Sequence, residues 1–445
     1  MIGAGTPCPA AVISPISDRS NMMQPLRILY VSACLPIANG TGSQKRSFVA
    51  AHALQQLGAV HFLEVPPGPG TSATDEGSGL FVARLAGSDM VADDPGCWSS
   101  YFEPSFTRKL LQRAWITAGA MLPLLPEQNK ALLASITHRF GAQKFDLIYI
   151  FQAHAGLFMC DALDELLAAD GVSLIDWDAA ERPAAVEQYR AREHGKGVLS
   201  WLGCRLNDCK LARYERRLLD AVDLTVCASD YDVAYFKARR PSGSVHAISN
   251  CIDVPAQATA ASTADVPTVL FVGLLNYWPN RSGVLLFLSE IWPQVRATFP
   301  DAVFNIVGRG VTHDISAWHG REGVNVIGEV EHVAPYYAAC HVAVAPMFFS
   351  VGSSIKILEA LAFNRALVAF ETATRRHALD DAVHVSVAHS NADFAARLCA
   401  LLSEPRAAAA MAARGREQVA QQYAKTQVEQ LTVDCLRKAL TLRRT

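Results

Sequence analysis

The sequence lacks features that mark several large classes of protein. Its 40 Lys and Arg are balanced by 42 Asp and Glu, so there is no basic excess of the kind that binds nucleic acid. The 11 Cys include no CxxC pair and the 13 His form no HExxH motif, so no zinc site is predicted. No run of about 20 apolar residues is present that would span a membrane. These absences favour a cytoplasmic protein without a metal site, in contact with a membrane only peripherally if at all.

What the sequence does contain is a well-buried composition. Hydrophobic residues make up 51% of the 445 residues, and this length suits two domains better than one core. The first 25 residues are rich in Pro, Ser and Gly and are expected to be a disordered extension.

Short apolar runs alternate with helical patterns along the rest of the first half. Apolar runs such as "RILYVS", "VHFLEV", "FDLIYIF", "VSLIDW" and "DLTVCAS" are predicted strands, with helices such as "SQKRSFVAAHALQQLG" between them. Strands that alternate with helices indicate a parallel sheet covered on both faces. The stretch from Ile252 to Pro267 has no apolar period and is predicted to be a linker.

After the linker the same alternation begins again, with "TVLFVGLL", "AVFNIVG", "VNVIG", "HVAVAP" and "ALVAF" as strands. The tail is predicted to be helical, with Gly415 as a candidate break. The predicted fold is α/β, with two doubly wound Rossmann-like domains that face a central cleft. The predicted boundaries are 26–255 for the first domain, 256–265 for the linker, 266–425 for the second domain, and 426–445 for a C-terminal helix that packs back on the first domain.

The stretch "SVGSSIKILEALAF" carries the clearest chemical signal. A Gly/Ser loop follows a buried strand and opens a helix, and Lys356 lies in that helix's first turn. Free backbone N–H groups and the positive end of a helix form an anion site, and Gly352 allows a ligand to approach the backbone. Glu359, three residues after Lys356, shares its face and can accept hydrogen bonds from sugar hydroxyls. A surface Lys–Glu ion pair is the alternative interpretation.

The segment "PMFFSVGSSIKILEALAFNRALVAF" resembles the donor-binding segment of family 4 glycosyltransferases, which have the GT-B fold, and is closest to their bacterial exopolysaccharide branch. "VLFVGLLNYWPNRSGVLLFLSEIWPQV", "AVFNIVGRG" and "VNVIGEVEHVAPYYAACHVAVAP" continue the likeness in order. The resemblance implies a retaining, metal-independent transfer of a hexosyl group from a UDP- or GDP-linked sugar to a saccharide or lipid-linked acceptor.

The resemblance also implies roles for individual residues. Gly352, Ser353 and Lys356 would contact the donor diphosphate, Glu359 would contact the ribose, and Gly273 and Asn280 would border the phosphates. The loop from Gly328 to Val333 would frame the base. Two departures stand out: Val351 lies where many relatives carry a second glutamate, and Leu274 lies where a basic residue is common.

In the first half, Gly40, Gly42 and Arg46 follow the first strand. In relatives this glycine-bearing loop faces the donor. From these residues alone, a plain turn between strand and helix is an equally good interpretation. Asp176 and Asp178 end another strand, and both carboxylates would face the same side if the strand stayed extended. The family likeness places Asp178 at a catalytic position. The alternatives are a D-x-D metal motif of the other large glycosyltransferase fold and a helix N-cap.

His154 also lies at a strand end. It either reaches the cleft or is a histidine whose hydrogen bonds only support the fold. The segment Trp201–Leu219 is predicted to be a basic amphipathic helix. Its basic face either is solvated or contacts anionic lipid peripherally.

The function predicted from the sequence is that of a nucleotide-diphosphosugar-dependent glycosyltransferase in bacterial glycan synthesis. A GT-B-type sugar-nucleotide epimerase and a non-catalytic nucleotide-binding partner remain alternatives.

Overall fold

A computed structural model describes residues 25–65, 126–180, 182–183, 186 and 198–444, except for the single positions 33, 39, 261, 263, 350 and 351. Within these ranges the chain forms two six-stranded sheets in which neighbouring strands run parallel. Two doubly wound α/β domains are therefore present, as the alternation of strands and helices predicts.

The first sheet has the order β2-β1-β3-β4-β5-β6. Its strands are β1 (Leu26–Ser32), β2 (Gly58–Glu64), β3 (Phe145–Phe151), β4 (Leu167–Asp176), β5 (Leu224–Cys227) and β6 (Ser244–Ala247). Its helices are α1 (Gly42–Gln55), α2 (Pro126–Phe140), α3 (Ala153–Met159), α4 (Leu163–Leu166), α5 (Val198–Ala221) and α6 (Asp230–Lys237). β1 and β3 are almost wholly buried, as expected of strands in the middle of a covered sheet.

The second sheet has the order β12-β11-β10-β7-β8-β9. Its strands are β7 (Thr268–Val272), β8 (Val303–Val307), β9 (Val324–Gly328), β10 (Val342–Ala345), β11 (Ala366–Phe370) and β12 (Ser386–Ala388). Counted from β7, this is the strand order of the classical dinucleotide-binding fold, whose ligands bind beyond the carboxyl ends of the strands where the order reverses. Here the reversal lies between β7 and β10.

The helices of the second half begin with α7 (Trp278–Leu286), which continues through a π-helical segment (Phe287–Ile291) into α8 (Trp292–Thr298). The next are α9 (His313–Ser316), α10 (Ala334–Ala339), α11 (Ile355–Ala362), α12 (Glu371–Thr374) and α13 (Asn391–Ser403), and the chain ends in α14 (Pro405–Gln422) and α15 (Lys425–Arg444).

α14 runs through Gly415 without a break, so that part of the sequence prediction is wrong. A Cβ atom at Gly415 would lie 2.7 Å from the carbonyl oxygen of His384 and 2.7 Å from a Leu361 methyl group. The glycine allows close packing of α14 rather than ending it, and the helical stretch is interrupted only at Tyr423 and Ala424.

Two hydrophobic clusters pack in the first domain and one in the second. α15 returns to the first domain and packs against α1 and β4, where Val428, Leu436 and Leu440 join the same cluster as Tyr30. None of the helices in the described ranges combines the length and the apolar character that a membrane span requires.

Candidate functional site

A cleft of about 700 Å³ lies between the two domains, at the carboxyl edge of the second sheet. Its second-domain wall comes from the segments that follow β7, β8, β9 and β10, and its first-domain wall comes from the β1–α1 loop, Asp178 and Asn250. The cleft therefore occupies the place where the strand order of the second sheet reverses.

Lys356 lines this cleft in the first turn of α11. Ser354 precedes the helix and its side chain does not cap it, which leaves the first backbone N–H groups without a side-chain acceptor from that residue. Burial lowers the pKa of the Lys356 ammonium to about 8, while the Glu359 carboxylate opposes that shift. No described residue forms an ion pair with Lys356 at salt-bridge distance. A helix N-terminus and an uncommitted cation thus face the same space, which is the arrangement of an anion site.

Gly352 and Ser353 lie beside Lys356 on the cleft wall. Gly352 has a φ of 77°, a left-handed conformation that glycine adopts without strain. The Ser353 hydroxyl lies 3.0 Å from Nε2 of His377, a residue behind the wall that is 8% exposed. The loop is therefore held in shape by a backbone turn and by one buried imidazole.

Glu359 lines the cleft one turn after Lys356. Its Oε2 accepts a hydrogen bond from the Tyr337 hydroxyl at 3.1 Å. Burial raises the pKa of the Glu359 carboxyl, and Lys45 of the first domain, the Tyr337 hydrogen bond and Lys356 act against that rise. Oε1 has no hydrogen bond from any described residue, so it can accept from a ligand hydroxyl.

Gly273 and Asn280 also line the cleft, beyond β7 and in α7. Asn280 donates from Nδ2 to the carbonyl oxygen of Leu274 at 2.8 Å, and its buried Oδ1 has no hydrogen-bond partner among the described residues. Gly308, which the sequence analysis did not single out, has a φ of 147°, and a Cβ there would lie 1.8 Å from the Gly273 carbonyl oxygen. Only glycine lets these two loops cross so closely.

The first-domain wall begins at the start of α1, where Gly42, Ser43 and Lys45 line the cleft. A Cβ at Gly42 would lie 2.8 Å from Cδ1 of Ile355, the first residue of α11. The N-terminal ends of α1 and α11 therefore approach each other across the cleft, and Lys45 adds a cation from the first domain.

Asp178 is the carboxylate that reaches this cleft from the end of β4. It accepts hydrogen bonds from the Ser43 hydroxyl at 2.9 Å and from the Asn250 amide at 3.2 Å. Burial raises the pKa of its carboxyl, and Arg46 opposes that rise. Its φ of 57° is a conformation that aspartate tolerates better than most residues. Asp178 is therefore held in one orientation and still faces the cleft.

The sequence prediction that Arg46 and Asp176 line the cleft is wrong, because both side chains lie beneath the cleft wall. Arg46 is 4% and Asp176 1% exposed, and they form an ion pair at 2.9 Å. Asp176 also accepts from the Tyr149 hydroxyl at 2.7 Å and from the backbone N–H of Asp178 at 3.0 Å. The left-handed turn at Asp178 ends the extended strand, so the two carboxylates point to different surroundings. They do not form the metal-binding pair of a D-x-D motif.

His154 is the second residue of α3, and its side chain lies outside the described part of the structure, as does Val351. The predicted amphipathic helix, Trp201–Leu219, lies wholly within α5, where Arg217 pairs with Asp161 at 2.6 Å. No described group of three or more His, Cys, Asp or Glu side chains is arranged to hold a metal ion.

Glu329, Val330 and Val333, in the loop predicted to frame the base, line the cleft. Among the cleft residues that the sequence did not predict are Lys45, Asn250, Tyr277 and Arg309. Asn250 connects Asp178 to Arg46, from which its Oδ1 accepts a hydrogen bond at 3.1 Å. Only the position of Tyr277 had a signal in the sequence, as an aromatic residue between Gly273 and Asn280.

Comparison with known proteins gives the same fold. Sucrose-phosphate synthase from Thermosynechococcus elongatus superposes with a TM-score of 0.65 at 15% identity, over 94% of this chain and 100% of the other. HepE from Anabaena, in complex with UDP, superposes with a TM-score of 0.60 at 12% identity, over 93% of this chain and 100% of the other. No curated protein matches by sequence.

The family described as "Glycosyl transferases group 1" matches residues 266–404. This range begins two residues before β7 and ends just after α13, so it contains the whole second sheet and every second-domain residue of the cleft. Residues 266–404 are thus similar to a group 1 glycosyltransferase domain, within a chain that has the two-domain GT-B fold.

Proposed function

We propose that the protein transfers a sugar from a nucleotide-diphosphosugar to a saccharide or lipid-linked saccharide, with retention of configuration and without a metal ion. The observation that carries this proposal is the position of Lys356, which lies at the N-terminus of α11, where the strand order reverses, and inside a glycosyltransferase domain. HepE, which shares the fold, has been crystallised with UDP and with UDP-glucose, which supports a uridine nucleotide as the first donor to test.

The donor would lie along the second-domain wall. Its diphosphate would meet Lys356, the first N–H groups of α11, and the loop at Gly352 and Ser353. Its ribose would donate hydrogen bonds to the uncommitted Oε1 of Glu359, and its base would lie against the loop at Val330. Lys356 would stabilise the negative charge that grows on the departing diphosphate, which is the main electrostatic task in such a transfer.

The acceptor would enter from the first-domain side, where Asp178 faces the cleft. Two hydrogen bonds fix the Asp178 carboxylate, and a carboxylate with two oxygens keeps further acceptor capacity for a substrate hydroxyl. Asp178 would therefore orient the attacking hydroxyl or the transferred sugar. A lipid-linked acceptor would give the basic helix α5 a role at a membrane surface.

The diphosphate assignment is tested with Lys356→Ala. We expect this change to weaken binding of UDP or GDP by about ten- to a hundredfold, because a hydrogen bond to a charged group is worth about 1.5–3 kcal/mol. Binding of uridine or guanosine, which lack phosphate, should change little. Calorimetry on the four ligands distinguishes the cases, and an equal loss for nucleotide and nucleoside would contradict the assignment.

The transfer itself is tested by incubating the wild-type protein with UDP- and GDP-sugars, with and without saccharide acceptors. A glycosylated acceptor supports the proposal. Free nucleoside diphosphate with an isomerised sugar, formed equally without acceptor, would identify an epimerase instead. Binding without any turnover would identify a non-catalytic nucleotide-binding protein.

A further inference from the structure

A buried ion pair joins the two domains behind the cleft. Asp232 belongs to α6 of the first domain, and Arg376 follows α12 of the second. Nε of Arg376 lies 3.3 Å from Oδ1 of Asp232, and the two side chains are 1% and 0% exposed. Removing one member of such a pair leaves an uncompensated buried charge. Breaking this contact between the domains would therefore cost free energy, because either side chain would leave a buried charge without its partner.

Asp232 also holds the backbone that follows Asp178. Its Oδ1 accepts a hydrogen bond from the N–H of Ala180 at 3.2 Å, and its Oδ2 accepts one from the Ser229 hydroxyl at 2.5 Å. Ala179, between Asp178 and Ala180, lies against the donor side of the cleft, since a Cβ at Gly352 would be 3.4 Å from the Ala179 methyl group. One carboxylate therefore fixes the segment that carries Asp178 and abuts the loop at Gly352.

The residue after Arg376 connects to the same loop from the second domain. Nε2 of His377 lies 3.0 Å from the Ser353 hydroxyl. Burial lowers the pKa of His377 to about 4, so the imidazole is neutral near pH 7 and offers Ser353 a hydrogen bond, not a charge. Two consecutive residues thus have partners in different places: Arg376 pairs with Asp232 of the first domain and His377 with Ser353 of the cleft loop.

We propose that Asp232 is a positioning residue for the donor site, which it reaches through Arg376 and His377 to Ser353 and through Ala180 to the segment next to Gly352. This inference rests on the proposed function of the cleft as a nucleoside diphosphate site. Asp232, Arg376 and His377 are not among the described residues that line the cleft, so they act on a ligand only through the residues they hold. The carboxylate of Asp232, in the first domain, therefore helps to hold the second-domain loop at Gly352 and Ser353 in place.

The test measures the affinity of the full-length protein for UDP and GDP by calorimetry in a mutant cycle. We expect Asp232→Asn and Arg376→Gln each to weaken binding by about tenfold. The double variant should bind no more weakly than the weaker single variant, because residues that act through one contact give non-additive effects. Asp230→Asn is the matched control, because it is the same change two residues away on the same helix at an exposed position. It should bind like the wild type.

A second pair of variants covers the case in which the ion-pair variants fail to fold. His377→Gln places an amide nitrogen near the position of Nε2 and should retain most of the affinity. His377→Phe fills the space without a hydrogen bond and should lose about tenfold, the range expected for coupled neighbours.

The outcomes separate this inference from the proposed function. If the variants lose thermal stability but keep the wild-type affinity for the nucleotide, the ion pair is only structural and the inference is wrong. Equal affinities of His377→Gln and His377→Phe would overturn it as well. A wild-type protein that binds neither UDP nor GDP would overturn the proposed function and this inference together.

Discussion

In the proposed donor site, the protonation of Lys356 should make the affinity for a diphosphate depend on pH. Burial lowers the pKa of this ammonium to about 8 in the free protein, so the group is mostly protonated at about pH 7, half protonated at about pH 8 and mostly neutral at about pH 9. Because a bound diphosphate raises the pKa again, UDP affinity should fall by about tenfold per pH unit above pH 8. Calorimetry from about pH 7 to about pH 9 measures the slope.

The control for this pH dependence is Lys356→Arg, since the guanidinium stays protonated throughout that range. The arginine variant should bind UDP with an affinity that changes little with pH. A wild-type affinity that is also flat would mean that Lys356 does not contact the phosphates.

Asp178 is the residue on which turnover should depend most. It faces the cleft from the first domain, opposite Lys356 and Glu359, and its partners Ser43 and Asn250 can hold an asparagine of the same shape. We expect Asp178→Asn to leave nucleotide affinity nearly unchanged and to reduce transfer by about a hundredfold or more, the range for losing one positioned acid–base group. Kinetics and calorimetry on the same preparation provide the comparison. Loss of nucleotide affinity instead would place Asp178 on the donor or in the structure of the wall.

The contrast between Asp178 and Asp176 shows where sequence reasoning about single residues ends. Alternation along a strand predicts that both carboxylates face one side, but this holds only while the backbone stays extended. The positive φ at Asp178 breaks the alternation. The partner of Asp176, Arg46, is 130 residues away along the chain, and a pairing over that separation leaves no local pattern. For the same reason Lys45 could not be assigned to the cleft from the sequence.

At the scale of elements, the strands that lie in apolar runs and the helix with Lys356 were predictable, and β6 and β12 were not. β6 (SVHA) and β12 (SVA) are short and contain no continuous apolar run, so they give no strand pattern against the surrounding loops. The strand–loop–helix unit around Lys356 was predictable because its parts are adjacent in sequence. The cleft itself is formed by two sheets that only the folded chain brings together.

The loop between β10 and α11 depends on the left-handed backbone conformation of Gly352, and a substitution there tests that dependence. Gly352 has a φ of 77°, and a Cβ there would make only an ordinary contact of 3.4 Å with Ala179. Gly352→Ala should therefore cost about 1–2 kcal/mol through backbone strain, not through a clash. Because the loop carries phosphate contacts in the proposed site, UDP affinity should fall severalfold.

Gly320 is the matched control for this change. It has the same φ of 77°, and a Cβ there would meet no atom within 4 Å. Gly320→Ala should lower the melting temperature by a comparable amount but leave UDP affinity unchanged. Similar losses of affinity in both variants would show that Gly352 affects stability alone.

At the scale of the whole molecule, the chain runs from the first domain into the second and then returns to the first. α15 is the last helix, and it packs against α1 and β4, elements formed near the start of the chain. The two segments that connect the domains are joined by a hydrogen bond. The N–H of Ile252, on the way into the second domain, donates to the carbonyl oxygen of Tyr423, on the way back, at 2.9 Å. The first domain is therefore complete only when the C-terminal helix has docked.

Leu436 of α15 tests this dependence. It is fully buried among residues of the first domain, so Leu436→Ala should cost about 2–5 kcal/mol, the range for a large-to-small change in a core. Leu431, on the same helix, is 47% exposed, and Leu431→Ala should change stability by no more than about 0.5 kcal/mol. Thermal unfolding of the three proteins gives the comparison, and calorimetry with UDP follows the second-domain site at a temperature where all remain folded. Because α15 does not line the cleft, we expect the Leu436→Ala protein to bind UDP like the wild type. A stability loss as small as that of Leu431→Ala would mean that α15 contributes little to the first domain.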